Sequence, residues 1–499
     1  MNNINILLLG DEDWNDIYEI PEHVQVDYFS DVIEPIPIIY DLVILDRDIS
    51  LAEYKNLVNC TRAYCLYATE NVRMKNNTQK YYERKIGKRL YTGDVNAFMA
   101  ETVNDYFPNP YGERMHPDYL TVNQMFEGEV EFNGNFDLRL KGDFGDDYTQ
   151  ILYWKNNLPI FEGQTLDLFL EHLKTENVKV KLRVIQFYNG SVGDVQQIWE
   201  YSDEELDEVI HVENHMAQGP IFVSVLAKGE GELRFISLHT RHSRHDIGFF
   251  LPGGNRTITS MKEEMFYYFD PGDLKPPLAV YFSGYRKQEG FEGYYMMRGL
   301  GCPFLLVTDP RLEGGAFYLG DKEFEDSIVR TIRGYMRRLQ FQSNQLIFSG
   351  ASMGTFGSLY YGCDLQPHAL ILGKPLANLG NVAKNERIGR VGIFPTSLDL
   401  LLKNYQGLGE EQIEQFNERF WEKFRKANWT HSKFIISYLY EDDYDKDAYP
   451  DILSNMRSEG VQIYGKGTHG RHNDNTQEVM NWFKGQYRKV LREDFGRKI

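Results

Sequence analysis

Largely apolar runs of strand length recur at intervals along the first hundred residues of the chain. Ile4–Leu9 and Leu42–Leu45 are two such runs, and residues 63–67 form a third. Strands that are apolar at every position are typical of parallel sheets covered by helices on both faces. We therefore predict that residues 1–115 form a Rossmann-like α/β domain.

The turn after the first run argues against a dinucleotide cofactor in this domain. Gly10 is followed by Asp11, Glu12 and Asp13, and the glycine pattern GxGxxG is missing. Carboxylates at that turn would repel a pyrophosphate, which binds at the N-terminus of the following helix. The prediction for this domain is a structural or docking role.

After a proline-rich join at residues 108–117, apolar and polar residues alternate in short stretches. Residues 136–140, 166–170 and 178–184 show this pattern, with glycine, asparagine and aspartate between them. Several short strands at this spacing favour a β-sandwich or jelly roll over residues 118–255. Such sandwiches often bind carbohydrate on exposed aromatic rings, although we expect most aromatic residues here in the core or in turns. The residues considered for that role are Tyr148, Tyr153, Trp154, Tyr188 and Trp199.

Three histidines near the end of this region, His239, His242 and His245, follow one another at intervals of three residues. On an extended strand, residues three apart point to opposite faces, so these rings converge poorly on one metal ion. We interpret the segment as a polar, anion-binding or interdomain stretch.

Strand and helix patterns alternate again over residues 260–499. Helical stripes of apolar residues cover 323–339 and 477–495. This order predicts a mostly parallel, doubly wound sheet. An insertion near residues 380–430, with an amphipathic helix at 411–424, is expected to form a lid. The apolar runs of strand length are Leu278–Phe282, 303–307, 346–348, 369–372 and 434–439.

Composition places the chain among folded globular proteins. Lys and Arg number 54 against 73 Asp and Glu, a net charge of −19, and 42% of the residues are hydrophobic. This apolar content excludes global disorder, and the acidic balance disfavours nucleic acid as a partner. No apolar run approaches the roughly 18–20 residues that span a bilayer, and no secretory signal is expected. Four scattered cysteines without a CxxC pair indicate a reducing cytoplasm and no cysteine-based metal site.

The sharpest motif is a GxSxG sequence at residues 350–354, between a predicted strand and a helix-compatible run. That context is the nucleophile elbow of α/β-hydrolases, where glycines permit a tight turn that lifts the serine above the sheet. The N-terminus of the following helix favours negative charge that develops beside the serine. Ser352 is therefore the predicted nucleophile, and residues 260–499 are predicted to form an α/β-hydrolase-like domain.

An elbow requires an acid after a later strand and then a histidine, in that order along the chain. The strand predicted at 434–439 runs into an acidic cluster. The residue pattern leaves Glu441, Asp442 and Asp443 open as the acid of a catalytic triad.

The histidine of the triad is expected in the loop before the last helix. A helix predicted at 453–460 and a strand at 461–464 lead into that loop. His469 and His472 are both candidates for the base. We prefer His472, because the charged and amide residues beside it provide polar contacts that can fix its ring.

Acyl transfer at such a site needs two N–H donors for the oxyanion. Met353, directly after Ser352, supplies one, and the loop after Leu278–Phe282 supplies the other, with Gly284 and Tyr285 as candidates. The serine would form an acyl-enzyme and pass the acyl group to water or to an alcohol. The triad by itself does not choose between these acceptors.

Several further motifs resemble those of a known family. They are YFSGYR at 281–286, EGFEGY at 289–294, DPRLEGGAFY at 309–318, SMGTFG at 352–357, GKP at 373–375 and GRHND at 470–474. With these motifs the chain resembles, over essentially its full length, the second accessory secretory protein of the accessory Sec system of streptococci and staphylococci. The similarity is most specific across residues 280–475.

The resemblance implies an O-acetyltransferase that adds acetyl groups to N-acetylglucosamine on exported serine-rich repeat glycoproteins. It implies a triad in which Ser352 and His472 match by motif and Asp442 is the acid, with Glu441 as the alternative. An acetyl donor is required, and no cofactor is implied as tightly bound. The implied partners are the first and third accessory secretory proteins, the accessory SecA motor and the glycoprotein substrate. The family works in the cytoplasm and also associates peripherally with the membrane.

Two other functions stay open. One is a non-catalytic scaffold of the export complex that keeps an inactive hydrolase fold, and the other is a plain serine esterase. A complete triad in the expected chain order favours activity over an inactive fold. The β-rich middle region, if it stacks sugars, favours a glycan acceptor over a small ester.

Overall fold

The computed structural model, which describes residues 3–191, 193–389 and 391–498, has a mixed α/β fold with four β-sheets. A five-stranded sheet comes first along the chain, two six-stranded sheets follow, and an eight-stranded sheet lies in the C-terminal half. The predicted α/β class is therefore confirmed. The division into domains at residues 1–115, 118–255 and 260–499 stays a prediction.

The first sheet is wholly parallel, in the order β2-β1-β3-β4-β5. Alternate residues of its first strand face two different apolar clusters, which explains why all of that strand except Asn5 is apolar. The strands are β1 (Ile4–Leu9), β2 (Val24–Phe29), β3 (Leu42–Leu45), β4 (Leu66–Thr69) and β5 (Lys88–Leu90). The helices are α1 (Leu51–Leu57), α2 (Asn76–Lys85) and α3 (Val95–Ala100).

The third apolar run forms its strand later than the sequence predicts. The pattern predicts a strand at 63–67, whereas β4 begins at Leu66. Tyr64 has a left-handed φ of 65°, and the Cys65 N–H bonds back to the carbonyl of Arg62 at 3.4 Å. The chain is therefore still turning over these buried residues, and apolar character alone does not distinguish a buried turn from a strand.

The middle of the chain forms two antiparallel sheets whose inward side chains share one apolar core. One has the order β14-β13-β16-β10-β7 with β11 beside β16, and the other the order β15-β12-β17-β9-β8 with β6 beside β17. The strands are β6 (Gly112–Met115), β7 (Leu120–Val122), β8 (Glu129–Asn133), β9 (Asp137–Asp143), β10 (Thr149–Trp154), β11 (Leu158–Ile160), β12 (Thr165–Lys174), β13 (Lys179–Phe187), β14 (Val195–Tyr201), β15 (Ile210–Glu213), β16 (Gly219–Lys228) and β17 (Glu230–His242).

The aromatic residues considered for sugar stacking do not form an exposed platform. Trp154 is buried in the shared core, and Trp199 packs against that core. Tyr148 and Tyr153 are half-buried, and Tyr188 is exposed. The middle region therefore offers one exposed ring of these five, which is weak support for carbohydrate binding there.

The C-terminal sheet has the order β18-β19-β21-β20-β22-β23-β24-β25. The six strands from β21 to β25 along this order are parallel, and β18 and β19 add an antiparallel edge. The strands are β18 (Gly254–Ile258), β19 (Glu264–Asp270), β20 (Leu278–Phe282), β21 (Phe304–Thr308), β22 (Leu346–Ala351), β23 (Ala369–Gly373), β24 (Lys433–Leu439) and β25 (Gln462–Thr468). The helices are α4 (Tyr294–Arg298), α5 (Lys322–Leu339), α6 (Met353–Leu365), α7 (Leu379–Ile388), α8 (Thr396–Tyr405), α9 (Glu410–Lys426), α10 (Ala448–Asn455) and α11 (Thr476–Glu493).

Of two helices predicted in this part of the chain, one is present as expected and the other has different bounds. The amphipathic helix predicted at 411–424 is α9, and with α7 and α8 it makes up the insertion near residues 380–430. The helix predicted at 453–460 is wrong in its bounds, because α10 starts at Ala448 and Met456 is already extended. Pro450 lies in the first turn of α10, where a missing N–H costs no hydrogen bond, so it does not delay the helix.

The histidine segment of β17 lies where residues 118–255 contact residues 260–499. His239 is buried between Glu171 and Glu289, with ring nitrogens 3.2 Å and 2.5 Å from their carboxylate oxygens. Arg241 binds the carboxylates of Glu264 and Glu289 in the same buried network. Glu289 belongs to the loop after β20, so the network links β12 and β17 to the strand that precedes the predicted oxyanion loop.

Candidate active site

Ser352 lies at the sharp turn between β22 and α6, with φ of 52° and ψ of −122°. A Cβ added at Gly350 would lie 2.4 Å from the carbonyl group of Gly354, and one added at Gly354 would lie 2.0 Å from the Phe282 oxygen. Real Cβ atoms do not approach backbone that closely, so only glycine fits on either side of the serine. A strained serine between two obligatory glycines is the local geometry of a nucleophile elbow.

The hydroxyl of Ser352 is the first member of a chain of hydrogen bonds. Its Oγ lies 2.8 Å from Nε2 of His472. On the other side of the ring, Nδ1 lies 2.9 Å from Oδ2 of Asp442. A carboxylate on Nδ1 fixes the tautomer in which Nε2 is unprotonated and can accept the serine proton. Both His472 and Asp442 are buried.

The environment of Asp442 keeps this carboxylate charged. Burial works to raise its pKa, but the hydrogen bond and charge of His472 lower it, as do the N–H groups of Tyr444 and Asp445. The net effect is a pKa below the usual value of 3.8. Asp442 is therefore ionised at neutral pH and can stabilise an imidazolium on His472.

The other two acids of the cluster contact the histidine loop at different places. Glu441 binds Nδ1 of His469 at 2.8 Å and the N–H of Gly470 at 2.6 Å. Asp443 accepts the backbone N–H of His472 at 2.9 Å. The alternative acid and the alternative base thus bind one another on the surface, where the His469 side chain is 85% exposed. The structure brings neither of them to Ser352.

Aromatic rings that the sequence patterns do not single out cover the triad histidine. Tyr444 stacks on His472, and Phe394, from the loop between α7 and α8, stacks on Tyr444 at a centroid distance of 5.8 Å. Tyr444 follows the acid by two residues, a spacing that carries no recognisable signal in one sequence. The insertion near residues 380–430 therefore reaches the site through Phe394.

The predicted oxyanion donors have different surroundings. Met353 supplies the first N–H of α6, which has no intrahelical acceptor. The N–H of Gly284 is not free, because it donates to Oε2 of Glu292 at 2.6 Å. In this structure the Gly284 N–H is thus engaged by a carboxylate, and its role as an oxyanion donor stays a prediction. For the N–H of Tyr285, no acceptor is found among residues 3–191, 193–389 and 391–498.

Lys374 adds a buried positive charge close to these groups. It follows β23, beside the nucleophile strand, and its Nζ lies 3.2 Å from the Thr476 hydroxyl at the start of α11. Burial lowers the pKa of Lys374, and the carboxylates of Asp442 and Glu292 oppose that shift. In the sequence, Lys374 stands out only as part of the motif GKP at 373–375, which does not indicate a role for it.

Two absences among the described residues concern cofactors and membranes. Within that part of the chain, no group of three or more His, Cys, Asp or Glu side chains converges as a metal site. Nor does any helix there combine the length and apolar character needed to cross a bilayer.

The chain is similar to known proteins both in sequence and in structure. Residues 4–497 match the family described as accessory Sec system GspB-transporter. An accessory Sec system protein of Streptococcus gordonii is 35% identical over 100% of this chain and 99% of its own length. One of Staphylococcus aureus is 34% identical over 99% and 97%. A chain of the Glycosylation Associate Protein complex from Streptococcus agalactiae superposes with a TM-score of 0.88 at 35% identity, covering 99% of both chains.

Proposed function

Because the chain belongs to the second accessory secretory protein family of the accessory Sec system, we propose that it is a serine-dependent O-acetyltransferase of exported glycoproteins. Its acceptor is N-acetylglucosamine on serine-rich repeat glycoproteins, as the family resemblance implies. The observation that carries the acyl-transfer part is the unbroken hydrogen-bond chain from Ser352 through His472 to Asp442.

The first half of the reaction forms an acetyl-enzyme. As Oγ of Ser352 attacks the acetyl carbonyl carbon of the donor, Nε2 of His472 takes its proton. The carbonyl oxygen becomes an oxyanion held by backbone N–H groups, with that of Met353 at the helix N-terminus. The tetrahedral intermediate then expels the donor's leaving group, which takes the proton from His472. Asp442 stays ionised throughout and offsets the charge of the imidazolium.

The second half passes the acetyl group to the sugar. A hydroxyl of the acceptor gives its proton to His472 as its oxygen attacks the acetyl carbon, and the bond to Ser352 breaks with the proton returned to Oγ. Transfer rather than hydrolysis requires that water be kept from the acetyl-enzyme. The cover formed by Tyr444 and Phe394 over His472 supports this choice of acceptor.

We propose that this chemistry takes place in a complex of the accessory Sec system. The partners are the first and third accessory secretory proteins and the accessory SecA motor, with the glycoprotein as substrate. The Streptococcus agalactiae relative is a chain of a multiprotein complex, which supports assembly of this chain too. The domain proposed at residues 1–115, whose first turn is acidic, is the proposed docking part.

The test is intact mass after exposure to a serine-directed fluorophosphonate. It compares the wild type with Ser352→Ala and His472→Ala. A single adduct on the wild type, absent from both variants, is the expected result. The Ser352→Ala variant should also leave co-expressed adhesin without O-acetylated sugar while the export complex still assembles. An unlabelled wild type, both alone and in the complex, would favour the scaffold function, and labelling without sugar acetylation would favour an esterase.

A further inference from the structure

We infer that Glu292 is a positioning residue of the oxyanion site: its carboxylate holds the Gly284 N–H, so that the adjacent Tyr285 N–H is the loop donor. This inference rests on the proposed acyl-transfer function. It replaces one of the two loop donors expected from the sequence, and it gives a role to a residue outside the triad.

The carboxylate of Glu292 lies at the end of β20. Its Oε2 accepts the N–H of Gly284 at 2.6 Å, and burial together with the nearby Glu292 carboxylate raises the pKa of the Tyr281 hydroxyl. Hydrogen bonds to an ionised acceptor are roughly twice as strong as those between neutral groups. One side chain thus fixes the last residues of the strand that carries the oxyanion loop.

Glu292 is itself held in place by its backbone. Its N–H faces the hydroxyl oxygen of Ser283 at 3.4 Å. The next residue, Gly293, has a left-handed φ of 81°, and a Cβ there would lie 3.1 Å from the Tyr281 ring. The glycine lets the chain turn tightly against this ring, so the carboxylate of the half-buried Glu292 reaches back to the end of β20.

Among the backbone N–H groups of residues 283–286, all except that of Tyr285 have an acceptor. The Ser283 N–H is still in the sheet and donates to the Val307 carbonyl at 3.0 Å. The Gly284 N–H goes to Glu292, and the Arg286 N–H donates to the Gly314 carbonyl at 3.1 Å. The Tyr285 N–H lies between two amides with fixed partners.

An oxyanion cannot share the Gly284 N–H with this carboxylate. Two negative oxygens on one donor would lie within a few ångströms of each other and repel. The loop donor is therefore Tyr285, paired with Met353 from the elbow. The Tyr285 side chain is anchored by its hydroxyl, which donates to Glu313 at 3.1 Å, and by its ring, which packs against Phe394.

Two substitutions separate the positioning role from a mere loss of charge. Glu292→Gln keeps a neutral acceptor for the Gly284 N–H, whereas Glu292→Ala leaves that N–H without a partner and free to turn. The control is Glu478→Ala, which removes an exposed carboxylate at the start of α11 that pairs with Lys466. Each full-length variant is assayed for hydrolysis of p-nitrophenyl acetate, with kcat and KM measured separately and the melting temperature recorded.

A positioning role predicts a loss in kcat with little change in KM, because the oxyanion exists only in the transition state. Glu292→Ala should lower kcat about 100-fold, the cost typical of one oxyanion donor. Glu292→Gln should recover most of that loss, and the control should match the wild type. A Glu292→Ala enzyme as fast as the wild type, or faster, would overturn the inference, since the carboxylate would then be dispensable or would block the site. So would Glu292→Gln as slow as Glu292→Ala.

The fluorophosphonate experiment distinguishes a failure of this inference from a failure of the proposed acyl-transfer function. If the wild type is labelled on Ser352 and Glu292→Ala is labelled equally fast, the positioning role fails while acyl transfer stands. If neither enzyme is labelled or hydrolyses the ester, the proposed function fails and this inference fails with it. If Glu292→Ala does not fold, Glu292→Gln decides alone: a kcat close to the wild-type value is the expected result, and a loss of about 100-fold or a change in KM alone overturns the inference.

Discussion

The ring of Tyr444 lies flat on the imidazole of His472, with 4.2 Å between the ring centroids and 4° between their planes. Its backbone N–H, at the same time, donates to the Asp442 carboxylate at 2.9 Å. One residue therefore contacts two members of the triad. In the proposed reaction His472 gains a proton when Ser352 attacks, and the electron-rich face of the tyrosine would stabilise the charged ring.

The first prediction tests this stacking contact. Tyr444→Leu should lower kcat for acetyl-ester hydrolysis by roughly three- to tenfold, the rate equivalent of a stacking energy of about 0.5–1.5 kcal/mol. Tyr444→Phe keeps the ring and should stay within about twofold of the wild type. Initial rates at saturating ester give both values. Equal loss in the two variants would instead assign the effect to the hydroxyl, which accepts from Asn473 at 3.4 Å.

The second prediction concerns which acid belongs to the triad. Asp442→Asn should lower kcat by about three to four orders of magnitude, because an amide no longer fixes the productive tautomer of His472. Glu441→Gln serves as the matched control, since it changes the neighbouring residue, whose partner is the exposed His469. Steady-state kinetics on the two variants, each checked for its fold by circular dichroism, gives the comparison. A larger loss in Glu441→Gln would reverse the assignment.

The third prediction concerns the glycines of the elbow. Gly354→Ala places a Cβ 2.0 Å from the Phe282 oxygen, so we expect loss of soluble protein or a marked fall in melting temperature. Gly334→Ala in α5 is the control, because a Cβ there meets nothing within 4 Å. Removing a helical glycine should stabilise by roughly 0.5–1 kcal/mol. Thermal unfolding of both variants measures the contrast, and similar melting temperatures would show that the elbow can relax.

The fourth prediction is a pH dependence of stability. Burial alone would lower the pKa of His239, but the carboxylates of Glu289 and Glu171 outweigh it and raise the pKa from 6.5 to about 9. The folded protein therefore binds this proton more tightly than the unfolded chain. Its contribution is complete below pH 6.5 and is lost as the pH rises toward 9. The apparent melting temperature should fall across this window.

A variant with a neutral residue in place of His239 is the control for the fall in melting temperature between pH 6.5 and about 9. His239→Gln retains hydrogen-bonding groups between Glu171 and Glu289 but cannot be protonated. We expect it to lower the melting temperature at pH 6 and to flatten the fall between pH 6.5 and about 9. A variant whose melting temperature falls as steeply as that of the wild type would show that other groups cause the dependence.

The sequence by itself determined the strands of the parallel sheets and the position of the proposed nucleophile. Ile4–Leu9, Leu42–Leu45 and Leu278–Phe282 lie where their apolar runs predict them, because a strand buried on both faces is apolar at nearly every position. The elbow can also be recognised from the sequence alone. Its glycines are required by contacts with residues a few positions away and with the adjacent strand β20. The motif and the turn therefore coincide at Ser352.

What only the tertiary structure decided is which distant groups meet. Glu441, Asp442 and Asp443 are chemically alike and adjacent, and their different partners depend on how β24 and β25 place two loops beside each other. The same holds for the Gly284 N–H, which goes to a carboxylate eight residues later. Hydrogen bonds between loops depend on positions of about an ångström, and the spacing of residue types along a chain does not contain that information.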